Sequence, residues 1–408
     1  MLLRQASLAD GRVADVLVGD GTIVEVTEAA ASGPASAKVL NLRGYLLLPS
    51  FTEPRARLGR VRRVGSPPGP PPERSLAWQG AAVHAADLVT RTWTAAMNYL
   101  VNGTTAIRAH VDVTDPAGLE ALHVLVDLRT SLADIMDVQI VAVTPAPVTG
   151  RAGARHRGSL RYALAAGADL AGGAPDLDGD LDRAVESLAV TADDAGAGLD
   201  LDVGETPDRA ARTLSRLLAI SEAGFRNPVT ASQVTSLAIP PERRTEFLRS
   251  LSRTGIGAVT IPKADAARSG IGARTGSARR LTGMRQLLAA GVTVAAGGSG
   301  TRAPDAVPGR ADPLRVASLL VTAGRLPLAN ALAAVTSAGR QIMRLPEVAI
   351  APGFPADLVA VRAVSLRDAM ASRATDRIVL RGGRVVARTR AGAETALPEF
   401  HAICPVWN

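Results

Sequence analysis

From residue 88 to residue 298, short β-branched runs alternate with amphipathic helical runs, and this alternation leaves the chain very few architectures. LVTRTWTAAMNYLVNG (88–103) has helical periodicity and closes on Gly103, a residue suited to a helix C-terminus. TTAIRAHVDV then reads as a strand, GLEALHVLVDLRTSLAD as a helix and VQIVAVTP as the next strand. Further strands are expected at LDLDVGE (199–205), PVTASQV (228–234), IGAVTIP (256–262) and VTVAAGG (292–298). Helical stretches such as RAARTLSRLLAISEAG and RRLTGMRQLLAAG separate them. Strand–helix units of this length predict a parallel α/β fold, and their number favours a closed (β/α)8 barrel over an open sheet. Two segments fit less easily. SPPGPPPE (66–73) reads as a rigid extended loop. AGGAPDLDGDLDRA reads as a loop entering a helix, and it is not a calcium loop because the closing Glu is missing and its glycines are misplaced.

The two chain ends have a different texture. ADVLVGDGTIVEV carries the Asp-Gly signal of a tight hairpin between two β-prone runs, and KVLNLRGYLLLPS continues in the same style. PADLVAVRA and DRIVLRGGRVVARTR, which turns at Gly382 and Gly383, mirror it at the far end. Residues 1–50 plus 343–395 are therefore expected to form one composite β-sandwich domain, with the barrel over 51–342 and a C-terminal tail over 396–408.

With 408 residues and a hydrophobic fraction of 47%, the chain can bury a full-sized core. Cys404 is its one cysteine, which excludes an internal disulfide framework and a multi-cysteine zinc site. The formal net charge of +8 raises the question of nucleic acid. Arg and Asp are scattered, however, and three Tyr and five Phe supply no stacking stripe among them, so no nucleic-acid partner is expected. No signal-peptide pattern opens the chain and no apolar run reaches the roughly 18–20 residues of a membrane span. The expectation is a cytoplasmic protein without a membrane partner, forming a homo-oligomer.

The stretch FTEPRARLGR (51–60) places Arg55, Arg57 and Arg60 where the first barrel strand should end. With its preceding LLLPS, this stretch resembles the first barrel strand of the amidohydrolase superfamily, in its cytosine deaminase-like branch. There the pattern reads Pro-Gly-Phe-x-Glu-Pro-His-x-His-Leu-Asp-Lys. GTTAIRAHVDV (103–113), LDLDVGET (199–206), ASQVTSLA (231–238), GVTVAAGGSG (291–300), IAPGFPADLVAV (350–361) and the closing RGGRVVA are similar to that branch in consistent order. The resemblance implies a (β/α)8 TIM-like barrel with a small β-sandwich domain formed by both chain termini.

The resemblance also implies where the chemistry departs. The first-strand histidine pair that binds metal in that family corresponds to Arg55 and Arg57, and its Asp-Lys to Gly59 and Arg60. The strand-five histidine corresponds to Asp202, the strand-six histidine to Gln233 and the strand-eight aspartate to Ser299. A pocket glutamine is replaced around Pro145. The general acid/base glutamate persists as Glu205, while its usual Asp neighbour is Gly204. A divalent site needs about three or four N, O or S donors, and arginine is a permanent cation with no donor to give. No metal and no cofactor are therefore expected. His84, His110, His123, His156 and His401 have no shared spacing that would replace the lost ligands. Of these His110 alone lies on an expected barrel strand, either as a pocket residue or as a structural hydrogen-bonding one.

Three arrangements of the arginines stay open: ion pairs of Arg55 or Arg57 with Asp202 and Glu205, guanidiniums facing a carboxylate or phosphate ligand, or a collapsed mouth. The candidate catalytic residues are Glu205 and Asp202. The candidate substrate-binding residues are Arg55, Arg57, Arg60, His110, Gln233 and Ser299. The glycine-rich AAGGSG reads as the turn after strand eight rather than as an anion-binding loop. Ser299 has no evident base beside it, which argues against a serine nucleophile. The expected protein is an amidohydrolase-fold chain that has lost its metal ligands. It binds a small anionic or heterocyclic ligand or serves as an oligomer partner. The rivals are a hydrolase or deaminase acting on C–N bonds of a cyclic amide or amidine, and a metal-independent lyase or isomerase using Glu205.

Overall fold

The computed structural model describes residues 1–29, 38–58, 85–203, 206–234, 239–262, 282–298, 311–372 and 375–390. The extended-loop expectation at 66–73 and the tail at 396–408 lie outside these residues. Sixteen strands are described. Five come from the N-terminal end: β1 (Leu2–Ser7), β2 (Val13–Gly19), β3 (Thr22–Glu28), β4 (Val39–Asn41) and β5 (Tyr45–Pro49). Eight form the central sheet: β6 (Phe51–Ala56), β7 (Thr104–Asp112), β8 (Asp137–Thr144), β9 (Leu170–Gly173), β10 (Gly198–Asp202), β11 (Val229–Ser232), β12 (Gly257–Thr260) and β13 (Val294–Ala296). Three close the chain: β14 (Leu358–Arg362), β15 (Arg377–Arg381) and β16 (Arg384–Thr389).

β6 to β13 pair in sequence order and all in parallel, with helices between them. This is the (β/α)8 barrel. Its strands alternate as the two-residue period requires. Ile107, Ala109 and Val111 of β7, and Leu199 and Leu201 of β10, join the main apolar core with Leu122, Leu125, Leu128 and Leu132 of the helix Pro116–Leu132. Arg108, His110, Asp200 and Asp202 occupy the alternate positions; Arg108 and His110 meet Asp200 inside the barrel, and Asp202 meets Arg55. Helix starts follow their sequence signals. Asp115 caps Pro116–Leu132 by accepting from the Gly118 amide at 2.7 Å, and Thr206 caps Pro207–Glu222 by accepting from the Arg209 amide at 3.4 Å.

The second sheet runs β16-β15-β14-β5-β1-β2-β3, with β4 beside β1, so it is built from both chain ends. β5 is the splice, pairing antiparallel with β14 (Leu46 opposite Val361, Leu48 opposite Val359) and parallel with β1. Its Leu46 and Leu48 belong to the barrel-side core, whereas Leu47 joins Leu3, Val16, Ile23 and Leu380 in a second core. Both faces of β5 are thus covered, which is why it reads as an unbroken leucine run instead of an alternating one. Asp20 and Gly21 turn the β2–β3 hairpin with φ of 47° and 80°, the doubly positive conformation that makes Asp-Gly such a strong hairpin signal.

One reading needs correction. AGGAPDLDGDLDRA is not simply a loop entering a helix: its first three residues complete β9, the fourth barrel strand. Gly172 and Gly173 suggest a loop in the sequence. In the barrel, a Cβ at Gly172 would lie 2.7 Å from Val141 and one at Gly173 2.8 Å from Leu188. These glycines mark close packing inside a strand. The rest of that segment does lead into the helix Leu181–Asp194.

Candidate functional site at the C-terminal end of the barrel

Arg55 lies at the end of β6, Asp202 at the end of β10 and Gln233 immediately after β11. In a parallel barrel these are the C-terminal strand ends, where functional groups gather. The three side chains bond to one another. Arg55 Nη1 lies 2.6 Å from Asp202 Oδ1, and Nη2 donates to Oδ2 at 2.9 Å, a two-pronged ion pair. Gln233 Nε2 donates to the same Oδ2 at 2.6 Å. The Arg55 side chain is 3% exposed and that of Asp202 13%, so the pair is held largely away from water. Gln233 adopts φ of 60°, a left-handed conformation rare for a side-chain-bearing residue, and in it reaches Asp202.

Glu53 extends this cluster to the barrel seam. Its carboxylate accepts from the Arg55 amide at 3.2 Å and, across the sheet, from the Gly298 amide at 2.8 Å. A Cβ at Gly297 would sit 2.4 Å from Glu53 Oε1, so a side chain just after β13 would have to displace this carboxylate. The glycines of AAGG therefore receive an internal carboxylate from β6. A chain of contacts links the ends of β13, β6, β10 and β11.

Beneath this layer a second cluster fills the barrel interior. Arg108 Nη1 donates to Asp200 Oδ2 at 2.9 Å and to Thr230 Oγ1 at 2.8 Å, and Nε donates to Gln139 Oε1 at 3.1 Å. Arg108 Nη2 reaches the Ile342 carbonyl at 3.0 Å, and Gln139 Nε2 the Met343 carbonyl at 2.6 Å. These donors satisfy carbonyls at the end of the short helix Ser337–Ile342. The Ser232 hydroxyl donates to Asp200 Oδ1. Burial favours the neutral form of Asp200, but His110, Arg108 and Arg55 around it hold the carboxyl well below the usual range.

His110 is buried with its Nε2 3.4 Å from Asp200 Oδ2, a long contact. Burial pushes the imidazole below its ordinary value, with the nearby Arg55 charge acting in the same direction and Asp200 opposing. Neutral in the fold, it gains a proton on unfolding below about pH 6.5, so the unfolded chain binds more protons there and stability rises with pH. Acidification below about pH 6.5 should therefore weaken the fold, by up to about 1.4 kcal/mol per pH unit from this group. Asp200, with its lowered value, contributes separately: its stabilisation is complete above about pH 4 and is lost as pH falls further. Denaturant midpoints measured on either side of about pH 6.5 should show this component vanish in His110→Gln. An unchanged slope would contradict a neutral buried imidazole.

Of the expected site residues, the structure brings Arg55, Asp202 and Gln233 into direct contact and sets His110 within reach of Asp200. Arg57 follows β6, half-buried and with a partner of its own. Glu205, Arg60 and Ser299 lie outside the described residues. Sequence reasoning missed Glu53, Arg108 and Asp200. The LDLD pattern of β10 carried a usable signal for Asp200, since two residues of spacing puts both aspartates on the same face.

The donors present do not suit a divalent ion. Arginine offers no lone pair, and its guanidinium occupies both oxygens of Asp202. Among the described residues no group of three or more His, Cys, Asp or Glu could hold a metal.

No family model matches the chain. It is 28% identical over 393 residues to a pterin deaminase of Rhizobium rhizogenes, covering 92% of this chain and 88% of that protein. Among solved structures it resembles N-isopropylammelide isopropylaminohydrolase from Burkholderia multivorans, with 28% identity, a TM-score of 0.77, and 95% and 98% of the two chains covered. 5-Methylcytosine deaminase from Klebsiella pneumoniae shares the fold at 24% identity and a TM-score of 0.81, with 97% and 100% covered. With the barrel, the composite sheet and the motif order, these likenesses make the chain similar to amidohydrolases of the cytosine deaminase-like kind, and among the described residues the strand ends that would carry metal ligands there hold Arg55, Asp202 and Gln233 instead.

Proposed function

We propose that this chain is a non-hydrolytic member of the amidohydrolase superfamily that binds a small nitrogen heterocycle at the C-terminal end of the barrel. One observation carries the first half: a guanidinium is chelated by Asp202 where the resemblance places metal ligands. A metal-hydroxide nucleophile needs a cation held by donors, and here a tethered cation holds the donor instead. The second half is supported by the two relatives at 28% identity, named for a pterin and for N-isopropylammelide.

The test is ammonia or amine release from pterin and N-isopropylammelide, with elemental analysis of the same preparation before and after incubation with zinc. Release at background, together with saturable calorimetric binding of one of the two heterocycles, is the expected result. Stoichiometric zinc or iron accompanied by turnover sinks the proposal.

A further inference from the structure

We propose that Arg55 is a built-in cation that clamps the barrel mouth, doing through its guanidinium what a bound ion would otherwise do for the ends of β6, β10 and β11. This deepens the non-hydrolytic reading and rests on it. The observations are geometric. The guanidinium makes a two-pronged contact to Asp202 at 2.6 and 2.9 Å, and Asp202 also accepts from Gln233 at 2.6 Å. The backbone of Arg55 is fixed by the Glu53 carboxylate, which in turn holds the Gly298 amide. Three strand ends thus meet at one cation, the fourth being tied to the Arg55 backbone through Glu53, and Gln233 is held in a left-handed conformation while it contributes.

A single point charge does not replace this arrangement. The planar fork matches both carboxylate oxygens at once, whereas a lysine ammonium can approach one oxygen closely at a time and retains more of its hydration. Three consequences separate a clamp from an incidental ion pair. The charge, and not only the volume, of Arg55 should matter. Lysine should be a poor substitute. A free guanidinium of the right size should re-enter the site when the side chain is cut back.

The experiment compares Arg55→Met, Arg55→Lys and Arg55→Ala in the full chain by thermal unfolding, each with and without millimolar ethylguanidinium, which matches the atoms that alanine removes. Arg55→Met is expected to lower Tm by about 5 °C or more, because it strands the Asp202 carboxylate in a largely buried site. Arg55→Lys should recover less than half of that loss. Ethylguanidinium should raise the Tm of Arg55→Ala saturably and leave wild type unmoved, while EDTA and zinc leave the wild-type Tm unchanged. Arg55→Met as stable as wild type, or equal ethylguanidinium responses in wild type and Arg55→Ala, overturns the clamp. If Arg55→Ala does not fold, ethylguanidinium added during refolding gives the same test, and failure of both to restore folded protein counts against the proposal. These readouts are independent of turnover. The clamp can therefore fail while the chain stays non-hydrolytic, and wild-type turnover would overturn the functional reading without moving the Arg55 comparison.

Discussion

Replacing Asp200 by asparagine should lower the unfolding free energy by about 3–5 kcal/mol, the usual consequence of removing one member of a buried ion pair. Asn keeps the shape of the side chain, so the effect isolates the charge. What remains is the Arg108 guanidinium, 1% exposed, with Gln139, Thr230 and the Ile342 carbonyl around it but, among the described residues, no counter-ion at contact distance. Neutral acceptors solvate a cation less well than a carboxylate does. A denaturant series checks this through the shift in midpoint. The double variant Arg108→Met with Asp200→Leu should lose markedly less than the two single changes added together, since it removes both charges. Additive losses, or an Asp200→Asn midpoint equal to that of wild type, would show that the pair is not what holds the barrel interior together.

The second large effect is expected where the composite sheet meets the barrel. Arg381 on β15 contacts both oxygens of Asp137, at 2.8 and 2.9 Å, and Asp357 at 2.6 Å. Asp357 also accepts from the Gly382 amide at 2.9 Å, and Arg340 lies 3.5 Å from Asp357 and 3.7 Å from Asp137. Two arginines and two aspartates therefore balance. Arg381→Met leaves two carboxylates facing one distant guanidinium and should cost about 2–3 kcal/mol, less than a fully buried pair because Asp137 stays partly exposed. Hydrogen exchange gives the location as well as the size. Amides of β14, β15 and β16 should lose protection before those of β7 and β8 do. Uniform loss across the barrel would place the effect elsewhere.

Much of the fold is written locally. Asp20-Gly21 and Gly382-Gly383 announce their hairpins because the turns need positive φ, and all four residues adopt it. The helix ending before Gly103 closes where its glycine, at φ 95°, permits the reversal. β9 escaped because its two glycines serve packing against Val141 and Leu188, residues far away in sequence. The site was legible in part. Arg55 or Arg57 could be named as a partner of Asp202 from the resemblance and their charges, with the choice between the two left to the structure, but Glu53 could not, since its significance lies in Gly298, 245 residues away. Gln233 looked like a lost ligand, whereas its role as a second donor to Asp202 depends on a backbone conformation that residue identity does not disclose.

β5 gives the chain an order of events. It pairs with β14, so the leucines at 46–48 find half of their cover only after residue 362 has been made. At typical synthesis rates that interval is roughly 15–60 s for about three hundred residues. Throughout it, the newborn N-terminal strands present an apolar edge with no partner, which is the state in which strand edges recruit other chains. Expression yield should therefore depend more on shielding during synthesis than on the stability of the finished protein. A version shortened before β14 would keep every barrel strand and still carry that open edge permanently.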